Sequence, residues 1–280
     1  MSEDAASLSS GKGHRDENFP VASFLIHPRH RSVILAFYRF ARAADDVADN
    51  AEADADVKLI LLDEMRRTLR GEADTVLVAG TLRQALRARA LDPQHGLDLL
   101  DAFSLDVTKL RYRDWDDLMD YCRLSAMPVG RFVLDVHGEP RSTWPASDAL
   151  CAALQVINHL QDCGEDFRNL NRVYIPLDRF AAAGIGPEAL AATRSSAALR
   201  AIIVGLAKET SALLTQAKPF AGQIRDRRLA LEVAVIQRLA EDLVRRLLER
   251  DPLADRVHHK KSEAALLATR AALGFFRGRL

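Results

Sequence analysis

The sequence has little of what marks secreted, membrane-spanning or nucleic-acid-binding chains. Its apolar runs fall well short of the roughly 18 residues that a spanning helix needs. No segment is therefore expected to cross a bilayer. Cysteine is scarce: Cys122, Cys151 and Cys163 are odd in number and show no CxxC spacing, which fits reduced thiols in the cytoplasm better than a disulfide frame. Net charge is absent too. Lysine plus arginine number 39, as do aspartate plus glutamate, and no basic stripe carries interleaved aromatics, so no nucleic-acid partner is expected. The opening "MSEDAASLSSGKGHRDE" has acids, glycines and serines where an export leader has a basic start and an apolar core. Residues 1 to 17 read as a disordered arm. No Pro/Gly/Ser-rich linker follows the first twenty residues, so residues 18 to 280 are expected to form one domain.

Period-two alternation of β-branched residues is missing as well, whereas apolar residues recur at three and four almost everywhere. The fold class is all-α. The pattern predicts helices over residues 29 to 49, 55 to 70, 81 to 90, 96 to 107, 115 to 136, 148 to 169, 198 to 217, 226 to 249 and 262 to 275. Thr81, Asp114 and Ser147 are the expected N-caps, and Gly71 and Gly138 the expected stops. Residues 173 to 190, "VYIPLDRFAAAGIGPEAL", read as a loop with short helical turns.

"FYRFARAADDVADN", residues 37 to 50, sets acids into a helix that is otherwise aromatic and alanine-rich. With Tyr38 at the origin of a helical wheel, Arg42 falls at about 40°, Asp45 at about −20° and Asp49 at about 20°. Asp46 lies beside this stripe. Phe40, Ala43 and Val47 form the opposite, apolar side. One reading is a solvated acidic face, where like charges at i,i+4 cost only ~0.2 to 0.5 kcal/mol. The other is a buried cluster, in which carboxylates near 4 Å repel by roughly 4 kcal/mol at an effective dielectric of 20. A divalent cation removes that repulsion, and hard oxygens on a rigid helix suit Mg²⁺, which accepts its remaining ligands from water and a substrate phosphate.

The pattern recurs in "LQVINHLQDCGEDFRNLNRVYIP", residues 154 to 176. Gln155, His159, Asp162 and Asp166 share a sector of about 60°, with Asn158 and Glu165 on its shoulder and Val156, Ile157, Leu160 and Phe167 opposite. Two acidic stripes facing each other across a bundle would hold metal ions against a diphosphate. Loss of that leaving group produces a carbocation, which needs a dry apolar cavity. His159 reads either as a further ligand or as a hydrogen-bonded wall residue, and Cys163 as a space-filling one. "YCRLSAMPVG", residues 121 to 130, reads as a helix weakened by Pro128 and Gly130, with small residues that permit close approach. "HHKK", residues 258 to 261, is either a basic surface patch or a lid over phosphate.

Taken together and in order, "FYRFARAADDVAD", "YCRLSAMPVG" and "LQVINHLQDCGEDFRN" followed by "RVYIP" give the chain a resemblance to the squalene and phytoene synthase family over residues 18 to 270. "ENFPVAS" at residues 17 to 23 adds a likeness to its hydroxysqualene synthase branch, in bacterial hopanoid biosynthesis. The resemblance implies a single all-α isoprenoid-synthase bundle with a central apolar cavity. It implies Mg²⁺-dependent conversion of presqualene diphosphate to hydroxysqualene, the cation being trapped by water. Asp45, Asp46, Asp49, Asp162 and Asp166 would then hold Mg²⁺, supported by Gln155 and Asn158 at the second cluster. Arg42 would touch the diphosphate, Tyr38, Tyr121 and Tyr174 would line the reacting centre, and Arg256, Lys260 and Lys261 would lie near phosphate. The chain departs from many relatives at Gln161, where they carry arginine, and around Val235 and Ile236, where they often have tyrosine. Competing expectations are head-to-head condensation of two farnesyl or two geranylgeranyl diphosphates, chain elongation, and a non-catalytic helical assembly protein. The expected substrate is an isoprenoid diphosphate handed over by a presqualene diphosphate synthase. The expected location is cytoplasmic, with peripheral contact on the inner membrane face. "AALGFFRGRL" at the C-terminus, with Leu273, Phe275 and Phe276 beside Arg277 and Arg279, is either that contact or a helix packed on the bundle.

Overall fold

The computed structural model describes residues 27 to 278; the N-terminal arm, the "ENFPVAS" segment and Arg279 lie outside them. Twelve α-helices are found among these residues: α1 (Pro28–Asp49), α2 (Ala55–Arg70), α3 (Leu77–Arg87), α4 (Gln94–Thr108), α5 (Trp115–Ser125), α6 (Met127–His137), α7 (Trp144–Leu170), α8 (Leu177–Ala182), α9 (Ala197–Ala217), α10 (Phe220–Gln223), α11 (Arg227–Glu249) and α12 (Lys261–Phe276). The only extended pairing among the described residues is an isolated parallel bridge between Arg111 and Val173. The chain is all-α, as its periodicity requires.

Helix boundaries follow local chemistry. Gly71 ends α2 with φ 87°, a left-handed conformation that only glycine adopts cheaply, and its N–H returns to the Arg67 and Thr68 carbonyls. The Asp114 carboxylate caps α5 by accepting from the Asp117 N–H at 2.9 Å. Two expected caps are corrected. Thr81 lies inside α3, where its hydroxyl donates to the Leu77 carbonyl at 2.9 Å instead of capping. Ser147 is fully buried inside α7, which begins earlier because Pro145 suits a first turn. The expected continuous helix over 115 to 136 is corrected as well. It breaks at Ala126 (φ −124°, ψ −48°), since Pro128 has no N–H to offer the preceding turn.

Two compact units share these helices. The first comprises α1 to α4 with residues 128 to 138, and the second comprises residues 111 to 127 with everything from Glu139 onward. In the first unit α1 packs on α3 and α4, burying Phe37, Phe40, Ala44 and Val47. Phe132 of α6 stacks on Phe37 with ring centroids 3.9 Å apart. Each such fully buried large side chain contributes about 1.5 to 3 kcal/mol. Gly96 lets α4 approach closely, because a Cβ there would stand 3.0 Å from Leu69 Cδ2 and 3.4 Å from Phe40 Cε1. In the second unit α7 packs on α5, α9 and α11, and α11 also carries α12. The buried Glu139 carboxylate accepts from the Arg225 and Asp226 N–H groups, which fixes the entry to α11.

Candidate active site

In the first unit the sequence-derived acidic stripe occupies the last turns of α1. Phe37, Phe40, Ala44 and Val47 anchor the helix in the core, so Arg42, Asp45, Asp46 and Asp49 are held rigidly rather than on a loop. Arg42 Nη1 meets Asp45 Oδ2 at 2.9 Å, and Arg42 Nη2 meets Asp46 Oδ1 at 2.8 Å. Asp46 is the buried member, with 9% of its surface exposed. This excludes a simple solvated face. The Asp45 carboxyl is pushed up to about 7, first by burial and then by the Asp49 charge, with Asp106 and Asp46 adding to it and Arg42 opposing. Its side chain nevertheless keeps 35% exposure, so water moderates the repulsion.

Asp106 escaped the sequence reading. It is buried on α4 and adds negative charge to the Asp45 cluster. The signal was present: Leu99, Ala102 and Asp106 recur at three and four on the buried face of α4, so an acid occupies a core register. Tyr38 lies half-buried on α1, one turn before Arg42.

In the second unit the stripe of α7 places Gln155, Asn158, Asp162 and Asp166 at intermediate burial, while Glu165 is exposed and His159 and Gln161 are buried. Asn171 closes the helix in a left-handed conformation and receives Arg111 Nη2 on its side-chain oxygen at 2.7 Å. Together with the bridge from Arg111 to Val173, this clamp sets Tyr112 beside Tyr174, stacked at 5.5 Å. Tyr121 lies 5.5 Å from Tyr174 and 5.2 Å from Tyr112, and the His159 ring stacks on Tyr174 at 3.5 Å and 13°. The structure thus brings together two sequence-named tyrosines, Tyr121 and Tyr174, and adds Tyr112. The clamp joins segments sixty residues apart, and no local pattern announces it.

His159 is a wall residue of this cluster. Burial, reinforced by the Arg172 charge, lowers its imidazole to about 3, so it is neutral at physiological pH. Its Nε2 is buried without a hydrogen-bond partner. Burial, with Asp166 and Asp162 assisting, pushes the Cys163 thiol up to about 12. It stays protonated, as suits a space-filling residue.

Of the late basic segment, His258 reaches the acidic helix, with Nε2 3.6 Å from Asp162 Oδ1. His259 pairs with Asp242 at 2.9 Å. Arg256, Lys260 and Lys261 are exposed, and Lys260 serves as the N-cap residue of α12, its N–H donating to Glu263 Oε2 at 2.9 Å.

Among the described residues, no three His, Cys, Asp or Glu side chains already form a metal cage. The donor chemistry still fits Mg²⁺, which takes one or two carboxylates and leaves the other positions to water and phosphate. Burial first and the Asp49 charge second raise the Asp45 carboxyl, and a divalent cation would relieve the second of these.

Comparison with known proteins gives this geometry a context. A sequence profile for squalene/phytoene synthase matches residues 13 to 263. A hydroxysqualene synthase of Rhodopseudomonas palustris is 58% identical, covering 92% of this chain and 89% of its own length. A second, from Zymomonas mobilis, is 56% identical over 96% and 92% of the two chains. Among solved structures, a squalene synthase from Alicyclobacillus acidocaldarius superposes with a TM-score of 0.72 at 30% identity, covering 86% of this chain and 90% of that one. A dehydrosqualene synthase reaches a TM-score of 0.79 over 99% and 97%, which at 20% identity speaks for the fold alone. Shared sequence over nearly its whole length, together with an all-α fold of the same kind, makes this chain a member of the squalene/phytoene synthase family.

Proposed function

We propose that the protein converts presqualene diphosphate to hydroxysqualene, with release of diphosphate and dependence on Mg²⁺. One observation carries the reading: relatives 53 to 58% identical over about nine tenths of both chains are hydroxysqualene synthases. Phytoene synthases of plants, mycobacteria and Thermus thermophilus match it at 28 to 34% identity.

Asp45, Asp46 and Asp49 on α1, and Asp162 and Asp166 on α7, are the carboxylates this reading assigns to Mg²⁺ and the diphosphate. Mg²⁺, when bound, supplies positive charge that stabilises the departing diphosphate. Arg42 already stands against two of these carboxylates and offers its guanidinium to the phosphate oxygens. His258, against Asp162, orients that carboxylate from the α12 side. Gln155 and Asn158 flank it on α7 as hydrogen-bonding groups.

The rest follows from the aromatic cluster. Tyr112, Tyr121 and Tyr174 present π-electron density that favours a neighbouring carbocation. His159 must be neutral for this to work, since an imidazolium stacked on Tyr174 would repel the cation, and burial keeps it neutral. The buried cluster also limits how much water reaches the cation, so that one molecule adds rather than many. Tyr38, one turn before Arg42 on α1, is assigned to contact substrate beside the first acidic stripe.

A second reading is head-to-head condensation of two farnesyl diphosphates, favoured by the squalene synthase that is 30% identical. Incubation of the purified protein with Mg²⁺ and each diphosphate separately, followed by mass spectrometry, decides between them. The proposal expects a C30 alcohol from presqualene diphosphate without NADPH. Turnover of farnesyl diphosphate alone, with none of presqualene diphosphate, overturns it.

A further inference from the structure

Within the second unit, helix α12 packs on α11 and buries Ala271, yet its outward residues are not those of a solvated face. Leu266, Leu273 and Phe276 are 53%, 50% and 67% exposed. On a helical wheel Leu273, Arg270 and Arg277 lie within about 40° of Leu266, and Phe276 within about 80°. Large apolar side chains and guanidiniums therefore share one strip. No acid occurs in the sequence after Glu263, and Glu263 is itself engaged by Arg246 at 3.1 Å.

Beside the strip lies a cavity of about 490 Å³. Ala217, Val233, Ala234 and Phe275 form its apolar floor, and Lys218 and Arg270 stand at its wall. Phe275, grouped by sequence with the outward aromatics, belongs to this floor instead. Arg238, also at the wall, is neutralised by Glu241 at 3.2 Å. No acid pairs with Lys218 or Arg270 among the described residues.

From the exposed strip, the unpaired cations and the apolar floor we infer that α12 and this cavity form a docking surface for anionic phospholipid. Lys218 and Arg270 take a headgroup phosphate, the cavity floor takes the first methylenes of an acyl chain, and Leu266, Leu273 and Phe276 enter the headgroup region. Interfacial helices bind in this way, with apolar side chains 5 to 10 Å into the boundary and cations at the phosphates. No described helix is long and apolar enough to cross a membrane, so the surface docks and does not span. The inference stands apart from the reaction proposed above, because it concerns residues outside both acidic clusters.

Flotation of the full-length protein with phosphatidylcholine vesicles, with and without phosphatidylglycerol, tests it. The expected result is partition onto the anionic vesicles at least about tenfold above the neutral ones, weakening as salt is raised. Lys218→Ala and Arg270→Ala should each lower it about fivefold. The double change Leu273→Ser, Phe276→Ser should lower it roughly tenfold. Circular dichroism confirms that these surface variants stay folded. Equal binding to both vesicle types, or none, overturns the inference. So does release from vesicles by soluble glycerol phosphate, or a concentration-dependent dimer that the Leu273 and Phe276 changes abolish.

Discussion

Replacing Arg42 by methionine separates a decorative ion pair from one that holds a strained acidic cluster. Arg42 is 21% exposed and makes two charge-assisted contacts, at 2.9 Å to Asp45 and 2.8 Å to Asp46. Such a contact contributes about 1.5 to 3 kcal/mol when buried. Exposure at Asp45 screens one of them, and the methionine regains apolar packing without the cost of burying a charge. The net loss should be about 2 kcal/mol by urea unfolding in metal-free buffer at pH 8. Part of it is recoverable by acid. With its pKa near 7, Asp45 binds a proton in the folded protein at a pH where the unfolded chain does not. Stability therefore rises as pH falls from 8 toward 5, and because Arg42 opposes the upward shift, its loss extends this window to higher pH. Mg²⁺ should stabilise the variant by about 1.4 kcal/mol at ten times its dissociation constant, and the parent by less at the same concentration, because Arg42 competes for the carboxylates. A variant as stable as the parent, with the same response to acid and Mg²⁺, would refute the reasoning.

Three further outcomes follow from groups whose environment is equally defined. His159→Phe should remove an acid sensitivity: the native imidazole, lowered to about 3, resists protonation that the unfolded chain accepts near 6.5, so stability falls with pH across that interval in the parent and less in the variant. Asp242→Asn should cost about 3 kcal/mol in thermal or urea unfolding near neutrality, because Asp242 receives Arg245 at 2.6 Å, Arg246 at 2.7 Å and His259 at 2.9 Å. Burial alone would raise the Asp242 carboxyl, but these hydrogen bonds outweigh it and hold the group well below its usual range, so its contribution is present above pH 4 and lost on further acidification. Gly96→Ala should cost about 1 to 3 kcal/mol by the same measurement, since the new Cβ meets Leu69 Cδ2 at 3.0 Å.

Much of the helical order was legible because each long helix buries a continuous stripe. The spans over α1, α2 and α11 match the apolar period to within about two residues. Thr81 differs from its expected role for a physical reason: a hydroxyl inside a helix bonds the carbonyl one turn back, and sequence does not distinguish this from capping, whereas the Ser147 hydroxyl lies buried inside α7 without a hydrogen-bond partner. Pro145 was the better guide to the start of α7. The acidic stripes were legible because charge broke an apolar period. Asp106 was marked only as an acid in a core register of α4; its effect on Asp45, the pairing of Tyr112 with Tyr174 and the contact of His258 with Asp162 were not legible, because each depends on segments brought together from far along the chain. The Arg42 pairs at i+3 and i+4 follow from helical spacing alone, although the strength of the upward shift at Asp45 needed the second helix.

The central claim is that the acidic stripes of α1 and of α7 are each needed for Mg²⁺-dependent release of diphosphate. Its most direct test is kcat/KM for presqualene diphosphate, titrated with Mg²⁺, in Asp46→Asn and Asp162→Asn proteins whose folding is verified. Each variant should lose on the order of 100-fold and require more Mg²⁺ for half-maximal rate. Unchanged turnover and unchanged Mg²⁺ dependence in either one would contradict the account.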